Sequence, residues 1–203
     1  MYKKIDLDYS SLEPYLDNQT LFLHFNKHYL QYLENLNKIL TNTNYDFKYD
    51  LQKLVEKINM FDQKIRGEIL YNLGGVLNHE LYFKIMNIDG KKEPTSILQE
   101  DIIKKYGSFN NFVSEFINVA NKLKGSGFTF LVLKNNVLDI VNLPNQETPY
   151  IYGMVPIIAL DMWEHSYYLK YQNNKEQYIK NFFSIIDFNK IENIYEKEIQ
   201  KNK

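Results

Sequence analysis

The sequence contains no cysteine among its 203 residues, which excludes disulfide bonds, thiolate metal sites and cysteine nucleophiles. It has a single tryptophan, Trp163, and a single arginine, Arg66. The net charge of −1 at pH 7 lacks the basic excess of a general nucleic-acid-binding protein. We therefore expect no nucleic-acid partner.

Long apolar runs are also missing. The two longest, near 128–133 and 154–160, are far shorter than the roughly 20 residues that a membrane helix needs. Residues 1–20 carry acids and tyrosines and lack the apolar stretch of a secretory signal. We expect no membrane partner and a cytoplasmic location.

The phosphate-binding and serine-nucleophile loops G-x-x-x-x-G-K, G-x-G-x-x-G and G-x-S-x-G are absent as well.

What is present is a chain that can form a core, since hydrophobic residues make up 44% of it. The first 90 residues have helical periodicity, and Asp17 or Asn18 is placed to cap the first helix. A long helix is predicted over about 61–86. Its interior contains Gly74-Gly75, which costs roughly 1 kcal/mol per glycine relative to alanine. Such a pair indicates close backbone approach or a space left for another group.

The remainder of the chain mixes helices with short strands. The polar segment 87–94 is the best candidate linker between two parts. Two helices, three strands and further helices are predicted after it: 96–105, 108–124, 128–133, 137–141, 154–160, and 163 to the end. The predicted fold class is α+β. An N-terminal helical hairpin domain (1–90) would precede a C-terminal domain (91–203) with a small three-stranded antiparallel sheet flanked by helices.

Two of the four histidines are the first candidates for metal binding or catalysis. His24 and His28 are spaced i, i+4 and share a helix face, which Tyr32 extends by one turn. The spacing fits two metal ligands on one helix, and it also fits an ordinary amphipathic helix with two polar histidines. The pattern is not H-E-x-x-H, because Phe25 and Asn26 follow His24, so no glutamate is present there as a general base. A lone His79 would more often be structural.

A second pair lies near the C-terminal part of the sheet. The apolar run 154–160 leads to Asp161, and His165 follows four residues later, with Trp163 between them. A carboxylate at a strand end and an imidazole at a helix start can converge on one point, as a metal site requires. If the distant histidines meet them there, the chain is a redox metal enzyme.

Five blocks in fixed order resemble one family, the iron/manganese superoxide dismutases, from about Tyr9 to about Glu196. The blocks are Leu12–Tyr15, Leu23–Tyr29 with Tyr32, Asn72–His79, Gly125–Val132 and Asp161–Lys170. Any single block would be weak evidence, whereas five in order are specific to that family.

The resemblance implies a ligand set and a reaction. The ligands would be His24, His79, Asp161 and His165, with one manganese ion per subunit and iron as the other possible metal. Three imidazoles and one carboxylate suit either metal. Superoxide would be the substrate, converted to dioxygen and hydrogen peroxide by alternating reduction and oxidation of the ion.

The resemblance also implies roles around the ion. His28 would lie beside the ligands without binding the metal, and Tyr32 would gate the substrate funnel, both passing protons inward. Gln146 would bond the solvent molecule that completes the coordination. Gln146 together with Gly75 is the manganese-type combination, since iron-type members usually place their glutamine at the position of Gly75.

A homodimer is implied too, in which Glu164 and Tyr168 reach across a twofold interface into the partner's site. Lysines such as Lys27 and Lys175 could steer the anionic substrate. The chain departs from the family where Phe83, Phe128 and Phe130 stand at positions that are typically tryptophan. Phenylalanine keeps an apolar wall but removes an indole donor.

Two other functions compete with this one. A catalytically inactive interaction protein on the same fold is typically marked by loss of a ligand, and all four are present. A hydrolytic zinc site could use the same side chains. It would lack a nearby general base, and four protein ligands leave little open coordination for zinc.

Overall fold

The computed structural model describes residues 1–6 and 11–201, so Tyr9, where the family resemblance begins, lies outside the described residues. The predicted α+β class is confirmed. The described α-helices are α1 (Asn18–Leu23), α2 (Leu30–Asn42), α3 (Leu51–Glu56), α4 (Gln63–Lys84), α5 (Ile97–Tyr106), α6 (Phe109–Asn121), α7 (Tyr168–Tyr171), α8 (Lys175–Phe182) and α9 (Phe188–Lys201). The strands are β1 (Gly127–Lys134), β2 (Val137–Pro144) and β3 (Val155–Asp161). Short 3₁₀ helices span Ile58–Met60, Pro149–Tyr152 and Glu164–Ser166.

The first long helix begins at Asp17, whose carboxylate accepts a 2.7 Å hydrogen bond from the backbone N–H of Thr20. A π-helical segment, His24–Tyr29, joins α1 to α2 without a break. In a π turn the hydrogen bonds run from i to i+5, a geometry that is frequent at functional sites. The i, i+4 geometry predicted for His24 and His28 is therefore replaced by a wider local turn.

Helix α4 crosses the interior of the molecule. It starts after Asp62, which accepts a 2.8 Å hydrogen bond from the N–H of Lys64, so it is slightly shorter than the predicted 61–86. Every residue of 72–79 is buried. Both sides of this stretch are covered, because α4 packs against α2 on one side and against β3 on another. Packing on β3 brings the N-terminal hairpin to the strand that ends in Asp161.

The described sheet has the order β2-β1-β3, with β1 antiparallel to both neighbours. Phe128 at the start of β1 lies opposite Asp161 of β3, which fixes the position of that carboxylate. The turn between β1 and β2 uses Asn135 and Asn136 at φ 50° and 61°, as expected for residues that tolerate the left-handed region. Pro156 lies in edge strand β3 next to a shift in register, where a missing N–H is tolerated.

The predicted linker is held by α9. Asp187 accepts a 3.1 Å hydrogen bond from the backbone N–H of Lys91 and also caps α9, through a 2.9 Å bond from the N–H of Asn189. Glu192 accepts hydrogen bonds from the N–H groups of Thr95 (2.5 Å) and Ser96 (2.7 Å) and pairs with the Lys91 ammonium at 2.9 Å. Both carboxylates are buried. We call these two acids and their linker partners the α9 clamp.

The division into 1–90 and 91–203 stays a prediction. The junction itself is tightly bonded, since a β-bridge joins Met86 to Ile186 and the N–H of Asn87 donates to Ile185 at 2.7 Å. Across the residues described here, no helix combines the length and apolar character that crossing a bilayer demands.

Candidate metal centre

The four predicted ligands come from four different elements and meet at one point. His24 opens the π segment, His79 lies in α4, Asp161 ends β3, and His165 lies in the 3₁₀ helix that follows. The Nε2 atoms of His24, His79 and His165 lie 3.0, 3.6 and 3.4 Å from the Oδ2 of Asp161. One ligand atom from each residue lies within 4.8 Å of all the others. Ligands bound about 2.0–2.2 Å from a common ion have separations of this size.

Hydrogen bonds alone do not account for the way these four buried side chains are held together. Within residues 1–6 and 11–201, the Nε2 atoms of His79 and His165 have no hydrogen-bond partner although both are shielded from solvent. Leaving a buried polar atom unpaired costs roughly 1–3 kcal/mol, so it needs a compensating interaction. A metal ion supplies one, and a set of three nitrogens and one carboxylate oxygen fits manganese or iron.

The protonation states also favour a cation. Burial lowers the pKa of His24 to about 4 and that of His79 to about 3. Burial by itself would raise the pKa of Asp161, but neighbouring His165 and His24 outweigh it and hold that pKa well below the usual range. At neutral pH the two histidines are therefore neutral and the carboxylate is charged, which are the forms that bind a metal.

Neighbouring groups fix the orientation of the candidate ligands. The Nδ1–H of His79 donates to the carbonyl oxygen of Gly75 at 2.6 Å, which leaves Nε2 as the free lone pair. The other carboxylate oxygen of Asp161, Oδ1, accepts a 2.7 Å hydrogen bond from the backbone N–H of Trp163. The main-chain oxygen of Asp161 accepts hydrogen bonds from Ser166 Oγ (3.0 Å) and from the Tyr178 hydroxyl (2.8 Å).

Gln146 and Tyr32 form a hydrogen-bonded pair beside the cluster. The amide Nε2 of Gln146 donates to the Tyr32 hydroxyl at 3.0 Å, and Gln146 is fully buried. Its Oε1 has no hydrogen-bond partner among the described residues. The Tyr32 ring lies 5.3 Å from that of His79, which places the pair next to the candidate ligands.

The glycine pair in α4 makes this arrangement possible. A Cβ at Gly74 would lie 2.0 Å from the main-chain oxygen of Gln146, and one at Gly75 would lie 2.5 Å from Cγ of Tyr32. Both distances are shorter than any real atomic contact. Each of the two glycines therefore allows the close approach expected from the sequence, one to the Gln146 backbone and the other to the Tyr32 ring. Asn78 also holds the loop, since its amide donates to the carbonyl of Glu147 at 3.0 Å.

His28 lies beside the cluster and is not part of it. Its ring stacks on His165 with centroids 3.9 Å apart and an interplanar angle of 15°. The centroid distance to His24 is 6.3 Å. Burial lowers the pKa of His28, which favours the neutral ring at neutral pH.

The three phenylalanines form an apolar wall in two layers. Phe83 packs 5.0 Å from His24, and Phe128 packs 5.6 Å from His79, as ring-centroid distances. Phe130 stacks on Phe128 at 5.7 Å. All three are completely buried. They therefore exclude water and offer no hydrogen-bond donor to the centre.

The residues predicted for the interface lie at the surface of the single chain. Glu164 is exposed and Tyr168 is 48% exposed. Of the two lysines named for steering, Lys27 is exposed, whereas Lys175 donates to the carbonyl of Leu123 at 3.2 Å. That bond to the chain just after α6 favours a structural role for Lys175.

Some contributors were not predicted from sequence. Asn78, Ser166 and Tyr178 hold the backbone of the Gln146 loop and of Asp161, and none was assigned a role. Asn78 had one usable signal, since a polar side chain directly before His79 falls in an otherwise apolar helical stretch. Ser166 and Tyr178 hold Asp161 through its main-chain oxygen, and a backbone partner leaves no mark in the sequence.

Comparison with known proteins accounts for nearly the whole chain. Residues 1–87 match the model for the alpha-hairpin domain of iron/manganese superoxide dismutases, and residues 94–194 match the C-terminal domain of the same group. The protein named superoxide dismutase [Mn/Fe] 2 from Staphylococcus aureus strain bovine RF122 / ET3-1 is 35% identical over 188 residues, 93% of each chain. Its counterparts in strains Mu50 / ATCC 700699 and N315 show the same identity and coverage.

The chain belongs to the iron/manganese superoxide dismutase family. It is an oxidoreductase of the superoxide dismutase class, and the resemblance inferred from the five sequence blocks is confirmed. The site accordingly suits a manganese or iron ion. All four members of the His₃Asp cluster are present in this chain, so the inactive alternative is not favoured.

Proposed function

We propose that this chain converts superoxide to dioxygen and hydrogen peroxide with one manganese ion bound by His24, His79, Asp161 and His165. One observation carries the proposal: three imidazole nitrogens point at one buried carboxylate oxygen, at 3.0–3.6 Å. When bound, the ion supplies the one-electron redox chemistry by which two superoxide ions and two protons give the products.

The chain's own residues position that chemistry. Buried, oriented ligands keep the site rigid, and the phenylalanine wall keeps bulk water out, which strengthens electrostatic interactions inside. Tyr32 is half-buried, and burial raises the pKa of its hydroxyl, so the group keeps its proton at neutral pH. It can hold a proton next to the centre and pass it inward.

Gln146 tunes the site from its position next to Tyr32. One of its two amide N–H groups is donated to Tyr32, and its Oε1, which has no partner among the described residues, is available to accept a hydrogen bond from a water in the centre. A single side chain next to Tyr32 thus offers both donor and acceptor groups. His28, stacked on His165, provides a second group that can exchange protons near the surface.

Manganese is favoured over iron by the way Gln146 and Gly75 fit together. Tyr32 occupies the space above Gly75, so a larger side chain at that position would displace its ring. The glutamine must therefore come from the loop after β2, as it does here. Selectivity for metals of similar affinity rests on such geometry and on supply in the cell.

The proposal includes a homodimer and a location in the cytoplasm. Glu164, Tyr168 and Leu169 are exposed beside His165, and an exposed aromatic and leucine next to a site are typical of an interface. A sedimentation measurement should give twice the 24.3 kDa chain mass, and Glu164→Ala should shift the protein toward the monomer. A wild-type monomer would contradict the dimer.

Metal analysis joined to a superoxide-consumption assay tests the central claim. Protein produced with both metals supplied should contain about one manganese per chain and consume superoxide in proportion to it. His79→Gln should lose metal and activity together, whereas the matched change His28→Gln should keep the metal. Activity only in the iron form would overturn the choice of manganese. Bound zinc without dismutation would favour the hydrolytic alternative.

A further inference from the structure

One face of helix α4 leads from a candidate ligand to the surface of the protein. Tyr71, Gly75 and His79 are spaced four residues apart in α4, so they lie on one face, one turn after another. His79 and Gly75 are buried, whereas Tyr71 is 43% exposed. The face therefore runs from the metal centre to solvent, and the proposed reaction assigns no role to its outer residue, Tyr71.

The ring of Tyr32 lies along this face of α4. It is 5.3 Å from the ring of His79 and 5.9 Å from the ring of Tyr71, between centroids. Between these two contacts it covers Gly75, whose missing Cβ leaves the space that the ring fills. Tyr32 thus bridges the buried and the exposed end of the face, and Tyr71 packs on it from the solvent side.

The two tyrosines are also connected through their hydroxyl groups. A side-chain hydrogen bond links Tyr32 to Tyr71. The Tyr32 hydroxyl accepts a second hydrogen bond, of 3.0 Å, from the amide of Gln146. Each phenol hydroxyl can serve as donor and as acceptor, because its O–H turns about the C–O bond. A chain of hydrogen bonds therefore runs from Gln146 through Tyr32 to a side chain that meets water.

We propose that Tyr71 is a positioning residue that acts through Tyr32: its hydroxyl holds the Tyr32 hydroxyl and passes protons to it from solvent. The inference rests on the proposed function, in which Tyr32 passes protons inward. When the Tyr32 O–H bond breaks and its proton moves inward, a proton from the Tyr71 hydroxyl forms a new O–H bond on Tyr32. Solvent then replaces the proton on Tyr71. One O–H bond forms for each that breaks, so both tyrosines end as they began and no oxidant or reductant is required.

His28 reaches the metal centre through a different contact. Its ring stacks on that of His165 with centroids 3.9 Å apart, whereas Tyr32 packs on His79. The two groups proposed to exchange protons therefore approach different candidate ligands. The route through Tyr71 can thus be interrupted while His28 stays in place.

Tyr71→Phe tests this route, because it keeps the ring that packs on Tyr32 and removes only the hydroxyl. In the metal-loaded protein, superoxide generated by pulse radiolysis gives kcat and kcat/KM separately. We expect kcat to fall about 10-fold, the lower end of the loss that follows removal of an outer partner of a metal site. The value of kcat/KM should stay unchanged, and the solvent deuterium isotope effect on kcat should increase.

Tyr2→Phe is the matched control for that change. It removes the hydroxyl of another partly buried tyrosine, which donates to the carbonyl of Tyr49 at 2.7 Å. That contact includes none of the candidate ligands or their neighbours. The control variant should therefore keep the wild-type kcat, kcat/KM and isotope effect.

A second measurement requires no metal. In the metal-free protein, exchange of the Tyr32 hydroxyl hydrogen with deuterium can be followed by NMR through the shift of the ring carbon that carries the hydroxyl. Tyr71→Phe should slow this exchange several-fold, because it removes the group that connects Tyr32 to water. Tyr2→Phe should leave the exchange rate unchanged.

The two measurements distinguish failure of the inference from failure of the proposed function. If the wild type dismutes superoxide and Tyr71→Phe keeps the wild-type kcat, the inference alone is wrong. An equal fall in kcat and kcat/KM would mean that Tyr71 shapes the passage for superoxide, which also overturns the proton route. Unchanged exchange at Tyr32 overturns it too. Metal-loaded protein that consumes no superoxide overturns the proposed function, and the exchange rates in metal-free protein then still decide whether Tyr71 connects Tyr32 to solvent.

Discussion

Gly75 lies directly beneath the ring of Tyr32, so close that a Cβ on the glycine would be 2.5 Å from Cγ of the tyrosine. The ring carbon is near the backbone end of the side chain and cannot move away without moving the whole residue. Tyr32 in turn accepts the hydrogen bond of Gln146. One missing methyl group in α4 thus sets the position of Tyr32, the proposed proton carrier, and of Gln146, which is bonded to it.

Gly75→Ala should consequently destabilise the protein and impair turnover. Alanine gains roughly 1 kcal/mol in helix propensity, but overpacking a filled site typically costs about 1–3 kcal/mol. We expect a net loss of stability, measured by urea unfolding, together with reduced superoxide consumption at unchanged metal content.

Gly67→Ala is the matched control for that change. It lies in the same helix, and among the described residues no atom apart from its chain neighbours and the surrounding helix backbone lies within 4 Å of its added Cβ. It should stabilise the protein by up to about 1 kcal/mol and leave activity alone. If both alanines stabilise equally, the contact between Gly75 and Tyr32 does not constrain the site.

Gln146→Leu tests the tuning role of the glutamine. Leucine has a similar volume but neither donates to Tyr32 nor accepts a hydrogen bond from a water in the centre. Removing such an outer partner of a metal site typically lowers activity about 10–100-fold. We expect that loss with metal content intact, measured by superoxide consumption and elemental analysis, and a shifted metal potential. Unchanged turnover would remove Gln146 from the mechanism.

Much of the site could be predicted because its signals are local. The apolar run that ends in Asp161, with His165 four residues on, predicts both residues at a strand end and a helix start, as observed. Caps such as Asp17 and Ser108 are likewise predictable, since each side chain accepts a hydrogen bond from the N–H three residues further on. The interior glycines predicted a close approach, although not which atoms approach.

The remaining features depend on contacts between distant parts of the chain. Gln146 and Tyr32 are 114 residues apart, and Tyr82 and Tyr178 are 96 apart, so only the fold brings them together. Strand β2 runs on to Pro144, beyond the predicted 141, because Gly127 of β1 pairs with it. The π turn at His24 has no distinct composition, since its residues suit an α-helix equally well.

Metal-free protein should lose stability in mild acid. His24 has a pKa lowered to about 4 from 6.5, so the unfolded chain binds its proton first as pH falls. The folded state therefore keeps its full stability with respect to His24 above pH 6.5. As the pH falls toward 4, the free energy of unfolding decreases by about 3 kcal/mol. Urea unfolding at about pH 7 and about pH 4.5 measures it. Metal-loaded protein should keep its stability in acid until the ion is released. If the stability of the metal-free protein does not change between these pH values, His24 is not a buried, neutral imidazole.

Breaking the α9 clamp should destabilise the whole fold. Burial raises the pKa of Glu192, but the Lys91 ammonium and the N–H groups of Thr95 and Ser96 outweigh it, leaving a pKa below the usual range. The ionised Glu192 thus stabilises the fold fully at pH values above its pKa in the unfolded chain. This stabilisation is lost as the pH falls through its lower pKa in the folded protein. Glu192→Gln keeps the shape but removes the charge, which should cost about 2 kcal/mol at neutral pH.

Glu176→Gln provides the comparison for Glu192→Gln, because the same atoms are changed in an exposed pair with Lys180. Exposed pairs contribute about 0–1 kcal/mol, so this variant should unfold at nearly the wild-type urea concentration. The difference between the two variants should shrink in acid, where Glu192 is protonated in both states of the wild type. Equal effects of the two changes at neutral pH would mean that the linker is held by its backbone contacts to α9 and not by the buried carboxylate.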